Sequence, residues 1–317
     1  MSEHNQPMNE KAPLLQVEQL VQHFHVSRSF TVRAVNGVSF RIYPGETYGL
    51  VGESGSGKTT IGRSIIRLYN PTGGRVVFEG KDITGKMDNA VREKLRKDMQ
   101  MIFQDPMASL NPRKKVEEII GEGLAIHQIG GSRKERQILI GEMLRKVGLS
   151  PEHAGRYPHQ FSGGQRQRVG IARALIMNPK LIIADECISA LDVSIQAQVV
   201  NLMKDIQEET HCAYLFIAHD LSMVKYISDR IGVLHLGYMV ESGTKEEIFS
   251  NPIHPYTKSL LSAIPHPNPE VERRRVAIRY DYASSGLDYS KGTEHLIEGS
   301  HTVLGTDEDI RKWTHEK

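Results

Sequence analysis

Alternating apolar and polar residues near the N-terminus predict a pair of β-strands. Apolar side chains recur through residues 14–26 and again through residues 32–42, where a Pro-Gly pair ends the second run. A polar insertion at residues 27–29 separates the two runs. Two antiparallel strands joined by a loop are the simplest arrangement that this pattern indicates.

Shorter apolar runs alternate with segments of helical spacing along the rest of the chain. Strands are predicted at residues 48–51, 76–78, 99–103, 181–184, 213–218, 231–236 and 238–241. Helical spacing occurs within residues 61–68, 116–147, 162–177, 193–206 and 256–264. Because strands that are apolar on both faces must be covered on both faces, the alternation predicts an α/β fold with a mostly parallel core sheet.

The longest helical pattern is predicted to be an insert of two helices in this α/β framework. Gly130, Gly131 and Ser132 interrupt it, and Ser132 and Glu135 have the spacing of a capping box. Beyond Pro269 the chain becomes charged and irregular, and its pattern is weak.

Composition narrows the class of protein only moderately. The 317 residues are 39% hydrophobic and 25% charged, as in an ordinary globular protein. Forty basic and 38 acidic residues leave a formal charge of +2, which provides no overall argument for a nucleic-acid partner. We interpret the basic runs at residues 113–115 and 273–275 as solvated surface.

Cysteine content and the N-terminal sequence bear on location. Cys187 and Cys212 are the only cysteines, too few for a zinc or iron–sulfur motif, and a reducing compartment fits them best. Residues 1–12 lack the basic and apolar regions of a signal peptide, and we expect them to be a disordered lead. No apolar run approaches the roughly 18 residues of a membrane helix, so any membrane role is expected to be peripheral.

One glycine-rich stretch carries the strongest chemical signal. It follows a predicted strand, precedes a predicted helix and matches the phosphate-binding P-loop. Its glycines allow backbone N–H groups to turn toward an anion at a helix N-terminus. Lys58 is expected to contact the β- and γ-phosphates of a nucleotide, and the Thr59 hydroxyl to ligate Mg²⁺. The stretch consists of Gly52, Glu53, Ser54, Gly55, Ser56, Gly57, Lys58, Thr59 and Thr60.

Four further polar residues follow predicted strands and are expected to gather beside the P-loop, because functional groups in parallel sheets lie at the carboxyl ends of strands. Asp185 is predicted to hold Mg²⁺, and Glu186 to activate the attacking water as general base. Gln104 is expected to contact Mg²⁺ or that water. His219 is expected to hydrogen-bond the γ-phosphate.

A second anion site is predicted where Ser162 can cap a helix N-terminus. The residues are Ser162, Gly163, Gly164 and Gln165. Since the chain already has one phosphate loop, this site is expected to serve a nucleotide held by another subunit. That prediction requires two chains in head-to-tail contact, with ATP at their interface.

These motifs, together with Ser189-Ala190-Leu191-Asp192, resemble those of the ATP-binding cassette (ABC) family over residues 14–265. The resemblance implies a P-loop NTPase fold with an antiparallel β-subdomain and a helical subdomain near residues 105–160, which contacts the membrane partner near Gln104. It implies that Asp192 couples two composite sites. An aromatic residue that stacks on adenine is also implied, with Phe24 preferred and Phe30 as the alternative.

One position departs from that pattern. Cys187-Ile188 follows the catalytic glutamate where the family usually has Pro-Thr. A buried core thiol is the favoured interpretation of Cys187, and a redox switch is the alternative.

Narrower features resemble the oligopeptide/dipeptide importer branch, in its F-type more than its D-type subunit. The branch is indicated by residues 104–112, 190–198 and 251–257, and the F-type subunit by Gln165 and residues 108–111. This resemblance implies a D-type ATPase partner, two transmembrane permease subunits, an extracellular peptide-binding protein, and a peripheral position on the cytoplasmic side of the cell membrane. We expect an ATPase domain at 13–269 and an extension at 270–317, which packs on the partner ATPase, regulates it or is a surface extension.

Three other functions remain open from the sequence. The first is ATPase of an importer for dipeptides, nickel or another small solute. The second is a non-transport ABC protein acting on ribosomes or DNA, although this chain has neither the second cassette nor the long coiled-coil insert common there. The third is a non-hydrolysing regulator, against which the complete set of Lys58, Asp185, Glu186 and His219 argues.

Overall fold

The structure is a computed structural model that describes residues 12–264, 273 and 277–315. Apart from its last residue, the lead predicted at residues 1–12 lies outside the described residues. Within the described part of the chain, no helix is both long enough and apolar enough to cross a membrane.

Twelve strands and twelve α-helices are described, besides two short 3₁₀ helices. The strands are β1 (Leu15–His25), β2 (Thr31–Ile42), β3 (Thr47–Val51), β4 (Gly73–Phe78), β5 (Lys81–Asp82), β6 (Met99–Ile102), β7 (Leu181–Asp185), β8 (Ala213–Ala218), β9 (Arg230–His235), β10 (Tyr238–Thr244), β11 (Thr293–Glu298) and β12 (His301–Gly305). The helices are α1 (Lys58–Ile65), α2 (Asn89–Asp98), α3 (Pro106–Ser109), α4 (Val116–Ile126), α5 (Arg133–Lys146), α6 (Gly163–Leu175), α7 (Val193–Thr210), α8 (Leu221–Ile227), α9 (Lys245–Ser250), α10 (Pro255–Ser262), α11 (Tyr282–Ser285) and α12 (Asp307–His315).

The core is an eight-stranded sheet in the order β11-β12-β10-β9-β3-β8-β7-β6. The five strands from β9 to β6 run parallel, with β3 between β8 and β9. Strands β10, β12 and β11 continue the sheet antiparallel. The predicted α/β fold with a mostly parallel core sheet is therefore confirmed.

Both faces of the parallel strands are buried, which accounts for their uninterrupted apolar runs. In β7, Leu181 and Ile183 enter one hydrophobic cluster, whereas Ile182 and Ala184 enter the other. The first cluster includes side chains of the antiparallel β-sheet and α1, and the second includes those of α4, α6 and α7. Successive residues of a strand point to opposite faces, so each face needs its own apolar cover.

The predicted pair of antiparallel strands is also confirmed. Strands β1 and β2 pair from Leu15↔Ile42 to His25↔Thr31. They belong to a four-stranded sheet in the order β2-β1-β4-β5.

The predicted helical insert is present as α4 and α5, which pack on α6. The predicted capping box at the start of α5 is confirmed as well. The Glu135 N–H donates to Ser132 Oγ at 3.2 Å, and the Ser132 N–H donates to Glu135 Oε2 at 3.0 Å. These bonds satisfy backbone donors that a helix N-terminus leaves without partners.

The C-terminal residues are more regular than the sequence pattern indicates. Strands β11 and β12 form a hairpin whose second strand pairs with β10, so the core sheet continues into the extension. The outer strand β11 alternates exposed and half-buried residues, and α12 buries only Trp313. So few buried side chains leave a weak hydrophobic pattern. The exact division between an ATPase domain and an extension stays a prediction, because most of residues 265–276 lie outside the described part.

Candidate active site

The phosphate-binding loop connects the buried strand β3 to α1. Gly52 and Gly57 have φ angles of +151° and +107°, in the region that favours glycine. A Cβ atom at Gly52 would come within 2.0 Å of the Leu234 carbonyl oxygen, and one at Gly57 within 2.3 Å of the Ala34 carbonyl oxygen. Both positions therefore require glycine for conformation and for space.

A tight hairpin turn supports the loop from behind. Leu236 and Gly237 join β9 to β10, both with positive φ, and the Gly237 N–H donates to the Ser56 carbonyl at 2.9 Å. Within the loop, the Ser56 N–H donates to the Glu53 carbonyl at 3.2 Å. Of the other predicted loop residues, Ser54 and Gly55 are exposed, and Thr60 lies half-buried in α1. The loop thus has a fixed inner side and an exposed tip.

Lys58 is buried at the base of the loop. Its ammonium group donates to the carbonyl oxygens of Gly52 at 2.8 Å and Glu53 at 2.9 Å. The nearest carboxylate oxygen is Glu186 Oε1, at 3.9 Å from Nζ. Burial lowers the Lys58 pKa, whereas the charges of Glu186, Asp185 and Glu53 raise it. The cation is held by carbonyl dipoles and lies next to two acidic side chains.

Thr59 and Asp185 lie in direct contact. The Thr59 hydroxyl donates to Asp185 Oδ1 at 2.7 Å. Asp185 ends β7 and is buried, and its pKa is raised by burial despite the lowering effect of the Thr59 hydrogen bond. A buried carboxylate beside a hydroxyl is a set of hard oxygen donors that suits a magnesium ion.

Glu186 is the meeting point of three other predicted residues. Gln104 Nε2 donates to Glu186 Oε2 at 2.7 Å, and His219 Nδ1 lies 3.9 Å from the same oxygen. Together with the Lys58 contact, these distances gather residues from four separate chain segments at one edge of the sheet. Glu186 has a φ of +45°, an uncommon conformation for a residue with a side chain.

The second predicted anion site has its own helix. Ser162 Oγ accepts the Gln165 N–H at 3.3 Å, and the Ser162 N–H donates to Gln165 Oε1 at 3.1 Å. Gly163 opens α6, and a Cβ at Gly164 would come within 2.6 Å of Ile195 Cγ2. Among the described residues, no hydrogen bond or ion pair joins residues 162–165 to the loop at 52–60.

Asp192 and the two aromatic candidates stand apart from this cluster. Asp192 is exposed and precedes α7 without a side-chain capping bond. Phe24 is half-buried and packs edge-on against Tyr69, with ring centroids 5.2 Å apart. Phe30 is 57% exposed. The assignment of adenine stacking to Phe24 stays a prediction, and Phe30 is the more accessible ring.

Cys187 is buried immediately beside the catalytic candidates. Burial raises the pKa of its thiol to about 12. A thiol of this kind is almost wholly protonated near neutral pH and is a poor nucleophile. The structure therefore favours the interpretation of Cys187 as a core thiol.

One contact of the loop was not anticipated. The Glu53 N–H donates to Tyr256 Oη at 2.9 Å. Tyr256 lies in α10, within the segment 251–257 that the sequence marks only by resemblance. A tyrosine in an amphipathic helix carries no sequence signal of contact with a loop 203 residues away.

Comparison with known proteins extends these observations. Residues 35–189 match the family described as ABC transporter, and residues 240–285 match the oligopeptide/dipeptide transporter C-terminal region. The chain is 56% identical to the oligopeptide transport ATP-binding protein OppF of Bacillus subtilis, over 97% of this chain and 100% of that protein. It is 54% identical to the dipeptide transport ATP-binding protein DppF of Lactococcus lactis, over 95% and 96%.

The chain belongs to the ABC transporter ATPases. Proteins of this family bind and hydrolyse ATP, and this chain is an ATP-hydrolysing transporter subunit. A solved structure, described as a dimeric post-hydrolysis state of the ATP-binding cassette MJ0796 bound to ADP and Pi, matches this ATPase with a TM-score of 0.66. Its sequence identity is 29%, and the match covers 73% of this chain and 98% of that one. The cbiO1 protein of Clostridium perfringens matches with a TM-score of 0.65 and 26% identity, over 75% and 91%.

Proposed function

We propose that this ATPase is one of two ATP-hydrolysing subunits that power an oligopeptide importer. The observation that carries the hydrolytic part is the convergence of Lys58, Gln104 and His219 on the Glu186 carboxylate. The 56% identity to a protein named for oligopeptide transport, over almost the whole of both chains, supports the choice of cargo.

In the proposed reaction, the converging residues have different tasks. Lys58 neutralises negative charge on the β- and γ-phosphates. Glu186 accepts a proton from the attacking water, and Gln104 orients that carboxylate through its amide. His219 hydrogen-bonds the γ-phosphate and positions it. The exposed side of this cluster is where a phosphate chain can enter, because His219 is 56% exposed and Glu186 15%.

Thr59, Asp185 and Gln104 are proposed to hold the magnesium ion that accompanies ATP. The 2.7 Å contact between the Thr59 hydroxyl and the Asp185 carboxylate supports this, because both are hard oxygen donors at one point beside the P-loop. When bound, the ion would neutralise charge on the β- and γ-phosphate oxygens.

The two ATPase subunits are proposed to complete each other's nucleotide sites. Residues 162–165 form a capped helix N-terminus that binds no part of this chain's own loop in the described residues. In a head-to-tail pair, Ser162, Gly163 and Gly164 would contact the γ-phosphate held by the D-type subunit, and Asp192 would couple the two sites. Gly163→Asp would then stop hydrolysis in the assembled transporter, while nucleotide binding to the isolated chain persisted.

Two permease subunits are proposed to hold the ATPase pair at the cytoplasmic face of the membrane, with an extracellular binding protein delivering peptide. A groove of about 970 Å³ between α2, β6 and α4 supports a docking site beside Gln104. Phe103 lines it, and Leu68 and Ile126 expose 59% and 67% of their side chains there. Such apolar exposure around a concave surface is typical of a protein-binding site.

Dipeptide import is the second candidate function, favoured by the 54% identity to the dipeptide transport protein of Lactococcus lactis. Purification of the intact complex from its native host, with identification of its other subunits, separates transport from non-transport functions. Reconstitution into vesicles with labelled dipeptides, pentapeptides and Ni²⁺ then identifies the cargo. ATP-dependent accumulation of pentapeptides is expected. Accumulation of dipeptides or Ni²⁺ alone would contradict the oligopeptide assignment.

A further inference from the structure

The C-terminal part of the chain contacts the phosphate loop through one hydroxyl group. Tyr256 Oη accepts the backbone N–H of Glu53, and none of the chemistry assigned above uses this contact. Tyr256 is buried, so its hydroxyl is held at the loop by a side chain with little freedom to move.

The backbone before Tyr256 is anchored to the core sheet. The Glu241 carboxylate, in β10, accepts the N–H groups of Ile253 at 2.8 Å and His254 at 3.0 Å. His254 in turn caps α10, because its Nδ1 accepts the Tyr256 N–H at 3.1 Å. The segment at 251–257 therefore places the Tyr256 ring at a defined distance from the sheet.

The Tyr256 ring is also held by an aromatic cluster, which we define as His235, Tyr256, Tyr280 and Tyr289. His235 stacks on Tyr256 with ring centroids 4.0 Å apart and planes inclined by 26°. His235 Nδ1 is hydrogen-bonded to Tyr289 Oη at 2.8 Å, and the Tyr289 and Tyr280 hydroxyls lie 3.0 Å apart. Two of the four residues belong to the C-terminal segment, residues 277–315.

The contact with Glu53 matters because the same peptide group also binds the Lys58 ammonium group. The peptide that joins Gly52 to Glu53 donates its N–H to Tyr256 and accepts Lys58 Nζ at its carbonyl, 2.8 Å away. A peptide group is planar, so fixing one side fixes the other. The Tyr256 hydroxyl thereby sets the direction of a carbonyl that holds the Lys58 ammonium group.

We propose that Tyr256 is a positioning residue for the phosphate loop, and that the C-terminal segment keeps it in place through Tyr280 and Tyr289. The inference rests on the binding of ATP at residues 52–60, and it adds a role for the segment at 251–257 and for the extension. Loss of the hydroxyl frees the Gly52–Glu53 peptide to rotate, which loosens Lys58 and weakens the hold on phosphate. The hydrogen bond from Gln104 to the Glu186 carboxylate does not involve Lys58 and stays in place.

The test compares three single-hydroxyl deletions in the full-length chain. Tyr256→Phe removes the bond to Glu53 and keeps the ring. Tyr289→Phe keeps that bond and removes the hydrogen bond between the C-terminal segment and His235. Tyr226→Phe is the matched control, since its exposed hydroxyl bonds Asn201 on the surface of α7. ATP affinity is measured by titration calorimetry, and amide hydrogen exchange is followed in the peptide that contains Glu53.

We expect Tyr256→Phe to raise the Kd for ATP about fivefold, as for the loss of one hydrogen bond of ordinary strength, and to speed exchange at Glu53. Tyr289→Phe should change both in the same direction by less, and Tyr226→Phe should change neither. In the assembled transporter, Tyr256→Phe should raise the KM for ATP by a larger factor than it lowers kcat, because the hydrogen bond from Gln104 to the Glu186 carboxylate is left in place. A purely structural role would lower thermal stability without this separation of KM from kcat.

Unchanged ATP affinity and unchanged exchange in Tyr256→Phe would overturn the inference, whatever happens to its thermal stability. If that variant does not fold, the same two readouts on Tyr289→Phe decide. Failure of the wild-type chain to bind ATP is a different result, which would overturn the proposed function and remove the basis of the inference with it.

Discussion

Two glutamate–histidine pairs in this ATPase illustrate how one combination of residues serves opposite purposes. At the edge of the parallel strands, His219 Nδ1 lies 3.9 Å from Glu186 Oε2, and both side chains are partly open to solvent. Where β10 pairs with β12 in the core sheet, His301 Nε2 lies 2.7 Å from Glu241 Oε1, and both side chains are buried. The first pair is loose and accessible, whereas the second is closed.

The two carboxylates differ in how many hydrogen bonds they already accept. Glu241 accepts two backbone N–H groups besides its contact with His301, and it is buried, so a ligand cannot reach it. Among the described residues, the Glu186 carboxylate accepts one hydrogen bond, from Gln104, and it has Lys58 and His219 at 3.9 Å. Groups at that distance can each rearrange toward a substrate or a water. A buried pair with several hydrogen bonds therefore indicates a structural role, and a partly exposed pair with few hydrogen bonds indicates a catalytic role.

The largest expected effect is on the open pair. Glu186→Gln should lower ATP hydrolysis in the assembled transporter by about 10²–10⁴-fold, because the amide cannot accept the proton from water. ATP binding and thermal stability should stay close to those of the wild type. Phosphate release measures hydrolysis, and nucleotide titration measures ATP binding. Glu208→Gln, on the exposed side of α7, is the matched control. Near-normal turnover of Glu186→Gln would reject Glu186 as the base.

The next largest effect is on the closed pair. Glu241→Ala should lower the free energy of unfolding by about 3–5 kcal/mol, because two buried backbone N–H groups and His301 lose their acceptor. Urea unfolding measures it, with Glu298→Ala on exposed β11 as control. If the variant were fully stable but unable to hydrolyse ATP, the distinction between the two pairs would fail.

Low pH should lower the free energy of unfolding through two buried histidines near the closed pair. Burial lowers the pKa of His235 to about 4 and that of His254 to about 3, so both are neutral in the folded chain. An unfolded histidine has a pKa of ~6.5, so unfolding takes up protons as the pH falls below that value. Above pH ~6.5 the histidines are neutral in both states, so they do not reduce the free energy of unfolding. As the pH falls toward 4, that free energy decreases by up to about 1.4 kcal/mol per pH unit for each histidine.

Urea unfolding at a series of pH values checks this expectation. His254→Asn keeps a side chain that can cap α10 and removes one titrating ring. Its stability should therefore fall less steeply between pH 6.5 and 4 than that of the wild type. Equal slopes for the two chains would show that His254 does not titrate on unfolding.

The smallest expected effect is at Cys187, where we expect no chemical modification of the thiol in the native chain. Although it follows Glu186, its thiol belongs to the closed interior and should resist iodoacetamide at pH 8 in the native chain. Mass spectrometry of the native and urea-unfolded protein measures the modification. A Ser222→Cys variant offers an exposed thiol on α8 as positive control. Rapid native modification at Cys187 would place it with the open site instead.

Much of the fold follows from local patterns. The parallel strands are uninterrupted apolar runs because both of their faces are covered, and the capping box at Ser132 marks the start of α5 by itself. The helix α2 and the hairpin of β11 and β12 give no such pattern. The helix buries only Leu95 and the outer strand buries nothing, so few positions record which face is inside.

The candidate site divides in the same way. The sequence by itself determined the residue types of the P-loop and their spacing, and it predicted that Gln104, Asp185, Glu186 and His219 would gather, because parallel strands present their carboxyl ends at one edge. Only the tertiary structure decided the pairings and their distances, the burial of Cys187, and the contact of Tyr256 with Glu53. Those features depend on contacts between side chains from distant segments of the chain. Neither the periodicity nor the spacing of residues along the sequence indicates such contacts.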